Sequence, residues 1–129
     1  RFLDKKKFDN TEVIKGGVGH TLLPNANIVI AFNSTTIFES IASKTPVIIP
    51  NFDKNKGKDL FKMELRNTNL IKIANTKSEF IEYLDQFQIS NKRHKNLSKI
   101  EKKILDKYMG NNYGNSALRL LNIIKKLTS

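Results

Sequence analysis

The sequence predicts an α/β fold built on an open parallel sheet with flanking helices. Two apolar runs, NIVIAF (Asn27–Phe32) and PVIIP (Pro46–Pro50), are typical of strands that are buried on both faces of a sheet. Between them, the segment Thr35–Ser43 has its apolar residues at helical spacing. Strand, helix and strand form a βαβ unit, so we expect the two strands to be adjacent and parallel.

Further segments extend this alternation. TEVIK (Thr11–Lys15) is predicted as a strand near the sheet edge, and HTLLPNA (His20–Ala26) as a short helical turn. NLIKIA (Asn69–Ala74) is predicted as another strand, and the helix after it begins with Thr76 and Glu79 at capping-box spacing. Strands that alternate with helices favour a Rossmann-like sheet.

The C-terminal segment, residues 91–129, is predicted to be helical within the same single domain. One apolar stripe has the helical spacings of three and four residues and consists of Leu97, Ile100, Ile104 and Tyr108. After a loop with the sequence GNNYGNS, a closing amphipathic helix is marked by Ala117, Leu120, Leu121 and Ile124.

Composition limits the class of protein. A chain of 129 residues with 39% apolar and 27% charged residues suits one globular domain and excludes a disordered chain. It contains no cysteine, which excludes a disulfide framework and a thiolate metal site and fits the cytoplasm. No apolar stretch approaches the roughly 18 residues that span a membrane.

The formal net charge of +11 has more than one interpretation. It fits a solvated, lysine-rich surface, and it also fits attraction to nucleotide phosphates, to nucleic acid, or to anionic lipid on the inner membrane face. Nucleic-acid binding is not supported by the 9% aromatic content, the lack of tryptophan, or any familiar motif. The lysine-rich run around His94 is typical of a solvated helix face.

Hydroxyl side chains follow NIVIAF directly, at Ser34, Thr35 and Thr36. In an open parallel sheet, ligands collect at the carboxyl ends of the strands. A helix start offers unpaired backbone N–H groups, and added hydroxyl donors make it suited to phosphate. The sequence has no glycine-rich phosphate loop, so a phosphate would meet hydroxyls and helix amides at this point.

Glu39 has two interpretations that the spacing leaves open. Thr36 and Glu39 are three residues apart, which is the spacing of a capping box that needs no ligand. Alternatively, the Glu39 carboxylate accepts hydrogen bonds from ribose hydroxyls, as acidic residues do in other nucleotide sites of this architecture.

The stretch LLPNANIVIAFNSTTIFESIASKTPVIIPNF (Leu22–Phe52) resembles the nucleotide-sugar-binding half of two-domain GT-B glycosyltransferases. It is similar to bacterial capsule and surface-polysaccharide transferases, including the CDP-glycerol glycerophosphotransferase type. GNNYGNSALRLL resembles their terminal segment more weakly and places Arg119 at its arginine. Lys44 and Thr45 replace a small residue or glycine, so we expect a less tight turn there.

The resemblance implies a donor-binding site made of Gly16, Gly17, His20, Asn33, Ser34, Thr35, Thr36 and Glu39. Within it, the glutamate would bind the ribose and the hydroxyl cluster the pyrophosphate. The GGVGH loop would lie near the base or the phosphates. His20 would pair with a phosphate, although a histidine satisfied within its own loop explains the residue equally well. No metal site is evident, and no cofactor is implied.

By this resemblance, we expect the donor-binding part of a glycosyltransferase or glycerophosphotransferase in bacterial surface-polysaccharide biosynthesis. The donor would be a nucleoside-diphosphate sugar or a CDP-alcohol. The catalytic base would come from an acceptor domain, so the chain alone should bind without turnover. Two alternatives stay open: a basic nucleic-acid-binding module, and a nucleotide-sugar epimerase of the same fold.

Such donor domains have several strands before the position of TEVIK. We therefore expect this chain to be part of a longer protein and to have an open sheet edge. The missing acceptor domain or a second copy of the chain would then cover that edge.

Overall fold

Three parallel strands form the sheet in the computed structural model, which describes residues 10–12, 14–17, 19–32, 35–56, 65–89, 96–110 and 116–128. The strands are β1 (Val29–Ile30), β2 (Val47–Pro50) and β3 (Ile71–Ala74), in the order β1-β2-β3. The α-helices in these ranges are α1 (Gly19–Leu22), α2 (Thr36–Ala42), α3 (Lys77–Ile89), α4 (Lys99–Met109) and α5 (Ser116–Thr128).

The βαβ unit forms as predicted. Val29 of β1 lies opposite Val47 of β2 in parallel register, and Val47 lies in turn opposite Ile71 of β3. The predicted strands at PVIIP and NLIKIA and the predicted helices that follow β1 and β3 are all confirmed. The fold is therefore an open α/β sheet with β2 at its centre.

Helices cover both faces of this sheet because the side chains of β2 alternate between two apolar clusters. Val47 and Ile49 belong to the cluster beneath α2 and α4, whereas Ile48 belongs to the cluster beneath α3, with Phe87. All four residues of β2 are buried. The central strand thus joins the two halves of the core.

The turn from α2 into β2 is tight, contrary to the expectation from its sequence. The N–H of Thr45 donates to the carbonyl of Ser40 (2.9 Å) and that of Lys44 to the carbonyl of Ile41 (2.9 Å), which is the Schellman pattern. Lys44 takes the left-handed position with φ 59°. The Thr45 hydroxyl then donates to the carbonyl of Leu23 (2.7 Å) and fixes the turn.

Replacing Lys44 with glycine should stabilise the protein, because a side chain in the left-handed region costs about 1 kcal/mol. We expect Lys44→Gly to raise the free energy of unfolding by about 0.5–1 kcal/mol in urea titrations. Lys44→Ala is the control, since it removes the same side chain but keeps the Cβ. Equal stabilities for the two variants would contradict this explanation.

The structure corrects the prediction for the region around β1. Thr11, Glu12, Ile14 and Lys15 are exposed and not in a strand, so the predicted TEVIK strand is wrong for these residues. The prediction of burial on both faces is also wrong for NIVIAF, because Ile30 is 48% exposed. Within the described ranges β1 has no neighbour on its outer side, so it is the edge strand of the described sheet, and Ile30 is only partly covered.

The backbone of β1 presents one open edge within the described ranges. The N–H groups of Val29 and Ala31 donate to Pro46 (2.8 Å) and Ile48 (3.2 Å) of the neighbouring segment. The N–H and C=O of Ile30 therefore point away from β2, where no described strand pairs with them. Such an edge is a template for pairing with another strand.

We expect this edge to make the isolated chain associate, so that its mass in light scattering rises with protein concentration. Ile30→Lys should lower the association, because a lysine on an edge strand opposes pairing. Ile81→Lys is the matched control, since Ile81 is equally apolar, 58% exposed and on α3. A monomer mass for the unmodified chain at every concentration would contradict the prediction.

Helix α4 is fixed to β3 by a buried carboxylate. Glu101 is 1% exposed, and one of its oxygens accepts hydrogen bonds from the Thr68 hydroxyl (2.6 Å) and the Leu70 N–H (3.3 Å). The other oxygen accepts from the N–H of Ser98 (2.7 Å), whose hydroxyl accepts from the Glu101 N–H (3.2 Å). Ser98 and Glu101 thus form a complete capping box.

Burial raises the pKa of Glu101, but the hydrogen bonds from Thr68, Ser98 and Leu70 outweigh it and hold the pKa below its ordinary value. A carboxylate with a lowered pKa stabilises the fold above the unfolded-state pKa of about 4.3. That contribution is lost as the pH falls through the lower folded-state pKa.

Glu101→Gln should therefore reduce the free energy of unfolding by about 2 kcal/mol at pH 7, because charge-assisted hydrogen bonds are lost. The difference from the unmodified chain should shrink as the pH falls below about 4. Urea titrations at several pH values measure it. Glu82→Gln is the control, because the carboxylate of Glu82 is exposed and, within the described ranges, accepts a hydrogen bond from the Gln86 side chain (3.2 Å). A difference that persists unchanged at low pH would contradict this account.

The C-terminal stripe is only partly buried. Leu97, Ile104 and Tyr108 pack on the core as predicted, whereas Ile100 is 39% exposed and Leu105 is buried instead. The closing helix α5 is present, but its apolar residues from Leu121 onward are exposed. No helix in the described part of the chain is long and apolar enough to cross a membrane.

Candidate functional site

Polar residues follow all three strands at the carboxyl edge of the sheet. Thr35 and Thr36 come after β1 and begin α2, Asn51 follows β2, and Asn75 follows β3. Because the strands are parallel, these positions lie at the same edge. We call these residues, together with Glu39, the carboxyl-edge site.

The start of α2 differs from the predicted capping box. The helix begins at Thr36, so Thr35 is its N-cap, and no side chain caps it. The carbonyl of Thr35 accepts from the N–H groups of Phe38 (3.0 Å) and Glu39 (3.1 Å). The capping-box explanation of Glu39 is therefore wrong, because Thr36 already lies inside the helix.

Glu39 lies on the solvent-exposed side of α2, one turn from its start. Its carboxylate forms no hydrogen bond or ion pair with any of the described residues. Ser40 next to it is fully buried, and its hydroxyl donates to the carbonyl of Thr36 (2.7 Å). The helix thus holds Glu39 in place without using its charge.

The two asparagines are residues that the sequence interpretation missed. Asn51 is 4% exposed, and its backbone N–H donates to the carbonyl of Ala74 (2.7 Å). Its side-chain amide donates to the side-chain amide oxygen of Asn75 (2.6 Å). The available signal was an asparagine directly after the apolar run of each of these two strands. This bond fixes the ends of β2 and β3 relative to each other.

The edge also carries charges around the start of α3. The N–H of Glu79 donates to the Thr76 hydroxyl (3.1 Å), and the Glu79 carboxylate accepts from the N–H of Asn75 (2.7 Å). Lys77 forms an exposed ion pair with Asp53 (3.3 Å). The predicted role of Thr76 as a cap is confirmed, although Glu79 bonds one residue earlier than a standard capping box requires.

The remaining predicted site residues are not brought to α2 by any described contact. Asn33 and Ser34 lie outside the described residues, as do His94 and the side chains of His20 and Arg119. Gly16, with φ 82°, and Gly17 lie in open space, where an added Cβ would meet no atom within 4 Å. Their roles near a base or phosphate stay predictions.

No protein-family model matches the chain, and comparisons with curated proteins and with solved structures find no match either. The class of protein is defined by the structure alone: an α/β protein with an open parallel sheet. Among the described residues, no group of three histidine, aspartate or glutamate side chains is placed to share a metal ion.

Proposed function

We propose that the chain binds a nucleoside-diphosphate sugar or a CDP-alcohol at the carboxyl-edge site. It would serve as the donor-binding part of a GT-B glycosyltransferase or glycerophosphotransferase in bacterial surface-polysaccharide biosynthesis. One observation carries the proposal. An exposed glutamate without a partner in the described ranges follows the threonines at the carboxyl end of β1, in the order found in the family it resembles.

Each side chain of the site has a chemical role in this proposal. The hydroxyls of Thr35 and Thr36 donate hydrogen bonds to phosphate oxygens, and Ser34 adds a third by its position in the sequence. The Glu39 carboxylate accepts hydrogen bonds from the ribose hydroxyls. Helix α2 has only seven residues, so its dipole acts within the first turn and the side chains supply most of the recognition.

The same groups would assist departure of the nucleotide when the donor is transferred. Negative charge grows on the leaving phosphate as its bond to the sugar or alcohol breaks. Hydroxyl donors that are already oriented stabilise that charge without rearrangement. A base that activates the acceptor is expected from another domain, so the proposal assigns binding to this chain and not turnover.

Calorimetry with UDP, CDP, GDP and CMP tests the proposal on the folded chain. We expect one diphosphate to bind and Glu39→Gln to weaken it at least tenfold, because a charge-assisted hydrogen bond is worth about 1.5–3 kcal/mol. The melting temperature should stay nearly unchanged, since the Glu39 carboxylate has no partner among the described residues. Glu82→Gln is the control, and it should leave binding unchanged.

Two results would contradict the proposal. One is the absence of binding to all four nucleotides at millimolar concentration by a folded sample. The other is a Glu39→Gln variant that melts at a lower temperature but binds as tightly as the unmodified chain.

A further inference from the structure

A cleft lies along α4, and its described lining does not include Glu39. Its volume is about 360 Å³, and it is lined by Arg66, Ile100, Lys103, Ile104, Lys107 and Tyr108. The residues from Ile100 to Tyr108 form one stripe of α4 about 12 Å long. Arg66 comes from the segment before β3 and closes the other side. We call this the α4 cleft.

The charged residues known to line the α4 cleft are all cationic. Among the described residues, its lining contains three cationic side chains and no carboxylate. Lys103 and Lys107 are four residues apart, so they lie on the same face of α4. Arg66 and Lys103 form no ion pair with any described residue. A bound anion would neutralise the charge of Arg66 and Lys103.

The walls of the cleft are fixed by the core. Ile104 is 5% exposed at its floor, and the Tyr108 ring stacks on Phe38 with a centroid distance of 4.7 Å. The Lys107 ammonium lies 5.7 Å from the centre of the Tyr108 ring. On the opposite wall, Leu65 is buried next to Arg66. The cations are therefore carried by backbone that the core holds in place.

We propose that the α4 cleft binds a phosphate dianion, with Arg66, Lys103 and Lys107 as its ligands. The guanidinium group matches two phosphate oxygens at once, and two ammonium groups supply the remaining charge. The volume of the cleft is near the lower limit for ligand pockets, which suits a phosphate group attached to a small molecule. Such a group is carried by soluble phosphate compounds and by phosphomonoester lipids.

Titration of the ¹⁵N-labelled full chain with inorganic pyrophosphate at constant ionic strength tests the proposal. We expect the amide signals of Ile104 and Tyr108 to shift, and the double variant Arg66→Gln/Lys103→Gln to bind at least tenfold more weakly. Lys99→Gln/Lys125→Gln is the matched control. It removes the same charge at exposed positions that do not line the cleft, and it should bind like the unmodified chain.

Vesicles identify the source of the phosphate. A phosphomonoester lipid would be indicated by binding to phosphatidylcholine vesicles that contain phosphatidic acid, but not to vesicles that contain phosphatidylglycerol at equal charge. The double variant Arg66→Gln/Lys103→Gln should abolish that binding. Pyrophosphate binding without vesicle binding would indicate a soluble compound. Either result supports the α4 cleft as a phosphate site.

Three results would overturn the proposal. They are no binding of either probe, equal weakening by the two double variants, and tighter binding of a single-stranded oligonucleotide that depends on Arg66 and Lys103. The two sites are distinguished by the amides that shift and by the variants that matter. UDP at the carboxyl-edge site should shift Thr36 and Glu39 without requiring Arg66 or Lys103, whereas pyrophosphate at the α4 cleft should shift Ile104 and should require both cations.

Discussion

The hydrogen bonds of the buried Glu101 carboxylate fix the relation between α4 and the sheet. This one side chain accepts from donors in the segment just before β3 and at the start of its own helix. With Glu101 in place, Ile104 and Leu105 enter the core and Tyr108 reaches Phe38 of α2. The α4 cleft and one face of the sheet therefore depend on a single ionised group.

The two proposed sites would recognise their ligands through different kinds of interaction. At the carboxyl edge, parallel strands bring the polar residues after each strand together, and recognition rests on hydroxyl, amide and carboxylate groups. In the α4 cleft, recognition rests on concentrated positive charge over an apolar floor. Part of the high net charge of the chain is thus concentrated in the α4 cleft, and the proposed nucleotide binding does not use it.

Local patterns predicted the elements whose partners are nearby in the sequence. β2 and the cap at Thr76 follow from an apolar run and from a hydroxyl three residues before a glutamate. The Ser98–Glu101 capping box had the same signal as Thr36–Glu39, and the sequence interpretation considered the wrong one of the two. The two capping-box signals differ in outcome because a tertiary contact supports only one of them: Glu101 is held by Thr68, 33 residues away. In α2, the helix begins one residue too early for Glu39 to complete a capping box.

Burial was harder to predict where a strand lacks a neighbour. Ile30 has the apolar character of a central strand, yet it is half exposed because β1 lies at the edge of the sheet that the described residues form. At the carboxyl edge, the order of the hydroxyls and Glu39 could be read from the sequence. The Asn51–Asn75 bond could not, because it depends on the register of β2 and β3.

The open edge of β1 has a thermodynamic consequence for the carboxyl-edge site. Thr35 and Glu39 follow the strand that no described strand covers on its outer side, so a strand added there would end beside any molecule bound at α2. A ligand that contacts both α2 and the added strand would couple ligand binding to strand pairing. By reciprocity, the factor by which pairing tightens ligand binding would equal the factor by which the ligand tightens pairing.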